Sequence, residues 1–342
     1  MNHRFLVPVT ALFATASLAP LHVAAQTLLA AEKRPAASKA SSDGAWTKRT
    51  SDGQPDLQGV WSGATITPFE RPVALGNKAF LTDEEAARME EQARQNRVDR
   101  PPRDGDVGDY NKLWMDSGTK VVKTHQTSLV VEPPDGRVPL TKAAEAKRDY
   151  ARAHESDSYE YMSVWDRCIT RGVPAGMFPA GYNNAYQIIQ TPGFVMIMSE
   201  MIHNARIIPV DGSPHPPANV RFWDGDSRGH WEGDTLVVDT TNYNNKGWIA
   251  TSAATGRVKG VSQSEALHVV ERFTRTDADT INYEVTIEDP NMYTRPWKVA
   301  LPLARDDGYR IYEYACHEGN EAVELILKGG RAKDQAARAD RE

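Results

Sequence analysis

Cysteine is scarce, with 2 residues in a chain of 342, so a disulfide-dense mini-protein and a cysteine-rich metal module are both excluded. Positive charge is not in excess either. Against 46 Asp and Glu stand 40 Lys and Arg, a formal charge of -6, which gives nucleic acid no electrostatic footprint. Outside the extreme N-terminus there is no long apolar run, and the mean hydropathy of -0.55 excludes a polytopic helical membrane protein. The motifs GxGxxG, GxxxxGK[ST], HExxH and GxSxG are missing, so the common dinucleotide, P-loop, zincin and hydrolase-elbow chemistries have no anchor here. Gly 24 and Pro 21 are near average usage, which excludes collagen and wholesale disorder.

What the chain does have begins with a targeting pattern. Met1 to Arg4 supply a short charged start, Phe5 to Val23 are mostly apolar, and Val23-Ala24-Ala25 offer small residues for a signal peptidase. Pro8 and Pro20 suit a cleaved segment better than a stable span. The expected protein is therefore cut after Ala25 and is periplasmic or secreted, without an integral membrane span. Residues 26–45, rich in Ala, Lys and Ser, read as a flexible linker, and 46–342 as a single β-rich domain. An even cysteine count in an exported chain predicts a Cys168–Cys316 disulfide.

Helices are expected first. Thr82 with Glu85 forms a capping box for a helix running to about Gln95, and Thr141 to His154 reads as a second surface helix. A strand at Thr127 to Glu132 ends in the turn Pro133-Pro134-Asp135-Gly136. From Ala185 onward short strands follow one another: 185–190, 194–202, 205–210, 231–239 with its turn at Glu232-Gly233-Asp234, 266–274, 280–287, 297–303 and 309–316. A C-terminal helix is expected near Asn320 to Lys328. Without βαβ alternation, the fold class is mainly β: an antiparallel barrel or sandwich, lipocalin-like, with a few peripheral helices.

Ionisable residues lie inside apolar runs, where burial is costly unless they are paired. These are Glu200, His203 and Arg206 in one segment and His268 and Glu271 in another. Period two places Glu271 with Leu267, Val269 and Phe273, a face suited to a polar-spotted cavity, and sends His268 to the other face with Arg272 unless a bulge intervenes near Val269. The same rule pairs Glu313 with His317. His203, His268, His317, Glu271 and Arg206 are the expected catalytic residues, His as proton carrier with a carboxylate to orient it and Arg206 for a substrate anion. Glu200, Glu313, Trp231, Trp297 and Tyr293 are the expected substrate-binding residues, the aromatics as walls alongside Trp248. No organic cofactor is implied. Four dispersed histidines, His203, His230, His268 and His317, leave a divalent metal open. Asp224-Gly225-Asp226 opens like a calcium loop but has Thr235 where the twelfth-position Glu belongs.

The phrases Pro55-Asp56-Leu57-Gln58-Gly59-Val60-Trp61, Arg167-Cys168 with Gly172-Val173-Pro174, and His230 through Asp239 resemble a family of uncharacterised secreted bacterial proteins. So do Ser264-Glu265 with His268, Asp289-Pro290 with Pro296-Trp297, and Tyr314 through Asn320. The likeness spans most of the expected mature chain and implies secretion, with no activity attached. The Gly59-x-Trp61 opening and the later meander are similar to lipocalin-type barrels. The first functional expectation is an acid–base enzyme of lyase, isomerase, hydratase or hydrolase type on a small aromatic, terpenoid or sugar-like substrate. The alternatives are a non-catalytic carrier with the same cavity and an envelope structural or interaction protein.

Overall fold

The computed structural model describes residues 46–97 and 115–341. The expected targeting segment, the expected linker and most of the expected 96–108 loop lie outside the described residues. Ten strands, β1 (Gly59–Ser62), β2 (Val130–Glu132), β3 (Ala185–Thr191), β4 (Phe194–Ser199), β5 (Ala205–Pro209), β6 (Asp226–Glu232), β7 (Thr235–Thr241), β8 (His268–Asp277), β9 (Thr280–Glu288) and β10 (Trp297–Arg305), share one antiparallel sheet. Nine follow the order β5-β4-β3-β1-β10-β9-β8-β7-β6, and β2 pairs with β10 off that path. The expected mainly-β, lipocalin-like barrel with few helices is what forms.

The sheet curls until its end strands β5 and β6 lie side by side, so the barrel is nearly closed. Gly229 on β6 makes this approach feasible. A Cβ there would stand 2.7 Å from Val210 Cγ1 and 3.1 Å from Ile208 Cγ2, closer than packed carbons tolerate. Inward positions alternate along each strand: Val269, Glu271, Phe273 and Arg275 on β8, Ile281, Tyr283, Val285 and Ile287 on β9, Val299, Leu301 and Leu303 on β10. One barrel end is filled by Trp61, whose indole N–H donates to the Leu57 carbonyl at 2.9 Å, and by Arg275, stacked 3.6 Å from Trp46 and 4.9 Å from Trp61. At the other end lies the segment 162–184, most of it buried.

The helices match their sequence signals. α1 (Asp83–Asn96) starts at Thr82 with both capping-box bonds in place, and α2 (Lys142–Ala153) starts at Thr141. α3 (Ala322–Ala339) begins slightly later than expected and runs well past Lys328. Three strands depart from expectation. The 231–239 run is a hairpin whose first arm, β6, reaches back to Asp226 and whose second, β7, runs on to Thr241. The 194–202 run stops at Ser199, because Ile202 and His203 take positive φ values of 64° and 41° as the chain turns back into β5. Residues 309–316 form no strand. β10, the candidate partner, has β9 on one side and β1 and β2 on the other. With its flanks occupied, the segment instead crosses Glu200, and the Cys168–Cys316 disulfide fixes its end.

Candidate functional site

The β8 register decides the fate of the central residues. His268 to Arg275 pair with Glu288 to Ile281 without interruption, and the shift in this ladder comes only between Arg275 and Asp277. There is no bulge near Val269, so Glu271 faces inward and His268 outward, and the two do not share a cavity. Glu271 is fully buried. Its carboxylate accepts both guanidinium nitrogens of Arg206 across the barrel, Nη1 to Oε2 at 2.5 Å and Nη2 to Oε1 at 3.1 Å, and the Tyr283 hydroxyl at 3.0 Å. Burial works against the Arg206 charge, but the facing Glu271 carboxylate outweighs it and the guanidinium is held more basic than usual. Burial, followed by the Glu271 charge, pushes the Tyr283 phenol well up.

The other expected residues scatter. Glu200 is buried beneath 309–312, with Oε1 accepting from the Tyr309 hydroxyl at 2.6 Å and from the Tyr312 amide at 3.3 Å. His203 is exposed, its Nδ1 2.7 Å from the Tyr314 carbonyl oxygen. His317 and Glu313 are exposed, and the strand that was to pair them does not exist. Trp297 and Tyr293 meet edge to face, 5.4 Å between centroids, inside the core, so they are packing residues and wall no open cavity. Trp231 is partly buried against that core. Trp248 borders a separate cleft with Tyr150, Tyr159 and Trp223. His230 pairs with Glu232 at a hairpin end, so the four histidines considered for a metal do not converge. Among the described residues, no group of three or more His, Cys, Asp and Glu is placed to hold one.

Two residues missed in the sequence reading, His215 and Asp239, organise a polar chain on the outer barrel face. Arg228 Nε donates to Asp226 Oδ2 at 2.8 Å, and the same oxygen lies 2.7 Å from His215 Nδ1. His215 Nε2 is 3.0 Å from Asp239 Oδ1, and Asp239 Oδ2 is 2.6 Å from His268 Nε2. His215 faces a carboxylate from each ring nitrogen, and donating to both at once requires the imidazolium. Period two along β7 and β8 would have put Asp239 and His268 on one face. Nothing local announces His215, which arrives on a proline-flanked loop whose carbonyls, Pro216 and Pro217, are held by the Asn242 amide.

Asp226 also borders a groove of about 440 Å³ at the β5/β6 seam. Phe222, Trp223 and Ile207 form its apolar wall, and Arg206, Asn204 and Asp224 part of its polar one. Asp224 accepts from Thr170 Oγ1 at 2.7 Å and from Asn204 Nδ2 at 2.8 Å. Gly225 separates the two carboxylates with φ of +70°, where a Cβ would lie 2.6 Å from the Thr241 carbonyl oxygen.

The hydrogen bond from the His268 ring to the Asp239 carboxylate, ahead of the opposing desolvation, raises the His268 pKa above its ordinary 6.5. The same bond lowers that of Asp239 below 3.8. A raised histidine value means the pair's contribution to stability is complete below pH about 6.5 and is lost as pH climbs through the folded-state value. A lowered aspartate value means it is also lost as pH falls below about 3.8. NMR titration of the His268 ring is expected to give a midpoint above 6.5 in the native protein and a lower one in D239N. Equal midpoints in the two proteins would show that Asp239 does not hold the proton there.

Comparison with family models, with curated proteins and with solved structures finds no match to this chain.

Proposed function

We propose that the protein is an acid–base enzyme acting on a small molecule held in the seam groove. The observation that carries this reading is that Asp226, the groove-side end of the Asp226–His215–Asp239–His268 chain, shares the groove with Arg206 and with the aromatic wall of Phe222 and Trp223. A carboxylate backed by an imidazole can take a proton from a bound substrate and return it, and the second carboxylate and histidine give the proton somewhere to reside. Asp224, held by Thr170 and Asn204, orients polar groups of the ligand, while Phe222 and Trp223 suit an aromatic, terpenoid or sugar-like face. Chemistry of the lyase, isomerase, hydratase or hydrolase type needs no organic cofactor here. A periplasmic or secreted location belongs to the same reading, supported by the Cys168–Cys316 disulfide and the N-terminal targeting pattern. Among the described residues no helix is long and apolar enough to cross a membrane.

His203, His268 and His317 do not meet in one pocket, which favours the envelope structural or interaction reading over the carrier as the alternative. The readings separate in D₂O. Incubation with a panel of small aromatic, terpenoid and sugar compounds, followed by proton NMR, is expected to reveal deuterium incorporation or product for at least one of them. That rate should fall by about 10²-fold in H215N and in D226N, with folding retained in a thermal melt. Ligand-induced chemical shifts without exchange or product across the panel would favour a carrier. Undiminished turnover in both variants would remove the Asp226–His215 pair from the chemistry.

A further inference from the structure

At the barrel end beneath 162–184, Arg171 is 2% exposed and yet has no carboxylate within salt-bridge distance among the described residues. Its Nε donates to Thr251 Oγ1 at 3.1 Å and its guanidinium lies 5.4 Å from the Trp165 ring centroid. Its Nη2 is buried and has no hydrogen-bond partner among the described residues. Arginine cannot escape this by losing its proton. The neighbouring Tyr186 offers no anion, since burial pushes its phenol up. Beside Arg171 lies a cavity of about 30 Å³, which Arg206, Ser199, Asn204 and Gly176 also border. The cavity is bordered by two arginines; the Glu271 carboxylate has both oxygens committed to Arg206, and Asp224 is held by Thr170 and Asn204. Glu200 makes no ion pair with Arg171: its Oε1 accepts from Tyr309 and Tyr312, and its Oε2 is buried without a hydrogen-bond partner among the described residues. Arg171 thus carries its charge in a buried place without an ion-pair partner among the described residues, and an unpaired buried ion is among the costliest arrangements a fold can contain.

We infer that this cavity is an anion site, taking a planar carboxylate-type monoanion beside Arg171. The space admits roughly two water-sized occupants, which suits a carboxylate group and excludes the body of a larger ligand. A guanidinium edge matches a carboxylate in shape and charge, and the hydroxyl of Ser199 adds a neutral donor at the wall. Asn204 and Arg206 also border the seam groove, so the anion can be a free small one or the head of a longer molecule. This inference concerns the ground-state fold and stands whether or not the seam groove is catalytic.

The test reads thermal stability. Sodium formate, and in a second series sodium hexanoate, replaces sodium methanesulfonate at constant ionic strength while the melting temperature of the purified protein is followed. A saturable rise is expected, reaching about 5 °C at a hundredfold excess over Kd. In R171M the rise is expected to vanish. G176A supplies a second variant that leaves both arginines in place. Its methyl would stand 3.6 Å from Ser199 Oγ and 3.7 Å from Arg171 Cβ, ordinary contact distances that consume cavity space without strain, and it should weaken formate about tenfold. A response to formate alone identifies a free small anion, and tighter hexanoate binding identifies the head group of a longer ligand. Either supports the site. No saturable shift with either salt in the native protein, or an undiminished shift in both variants, overturns it.

Discussion

Replacing Glu271 by leucine is expected to lower the unfolding free energy by about 3–5 kcal/mol, a third or more of the stability typical of a domain. The loss does not come from the hydrogen bonds as such. Glu271 is fully buried, and Arg206, facing it across the barrel, has a side chain only 13% exposed. Without the carboxylate, the guanidinium remains inside a low-dielectric wall beside a second buried guanidinium, Arg171, and the Tyr283 hydroxyl loses its acceptor. Arg206→Met should cost a similar amount by leaving the carboxylate alone. The double variant R206M/E271L removes both charges and is expected to recover most of the loss, because replacing a whole buried pair by apolar residues is close to neutral. Urea unfolding of the four proteins measures the coupling. Additive losses, with no recovery in the double variant, would show that the pair is not the unit of stability at the barrel centre.

Removal of the Cys168–Cys316 disulfide, as C168S/C316S, is expected to cost about 4–5 kcal/mol in the chain-entropy account, since the bond closes a loop of 148 residues. The loss should also be visible locally. The disulfide ties the loop 309–320 to the segment that covers one barrel end, and through that loop Tyr309 and Tyr312 are held on Glu200. Freed of the tether, these contacts must order a stretch that has no strand pairing to support it. Hydrogen exchange at the Tyr312 amide is therefore expected to quicken more than exchange in β8 and β9. Unchanged stability, or two free thiols titrated in the denatured and unreduced native protein, would contradict the assignment.

Local rules made much of the molecule legible. The capping box at Thr82 and Glu85, the two-residue turn at Gly233-Asp234 and the period-two faces of β8 to β10 are nearest-neighbour physics, and the chain obeys them. The same alternation placed Glu271 among Leu267, Val269 and Phe273 correctly. It also gave the opposite orientation of His268, which the hope of a shared site required a bulge to undo. The failures come where partners are distant. Residues 309–316 have the composition of a strand, but a strand needs a free edge, and only the assembled sheet shows that the flanks of β10 are taken. Tyr293 and Trp297 have the composition of a binding wall, yet whether an aromatic lines space or fills it depends on what packs opposite.

Strand periods, caps, turns and the cysteine pairing are written locally in the chain, because each depends on backbone preference or on a count. Which charges meet is settled by the assembled sheet. Arg206 and Glu271 stand 65 residues apart, His215 and Asp239 24, and Arg171 has no ion-pair partner among the described residues, and each follows from how a sheet of ten strands curls. Coulomb energy acts through space, and inside a barrel the distance between two charges is set by strand order and tilt, which no local stretch of chain encodes.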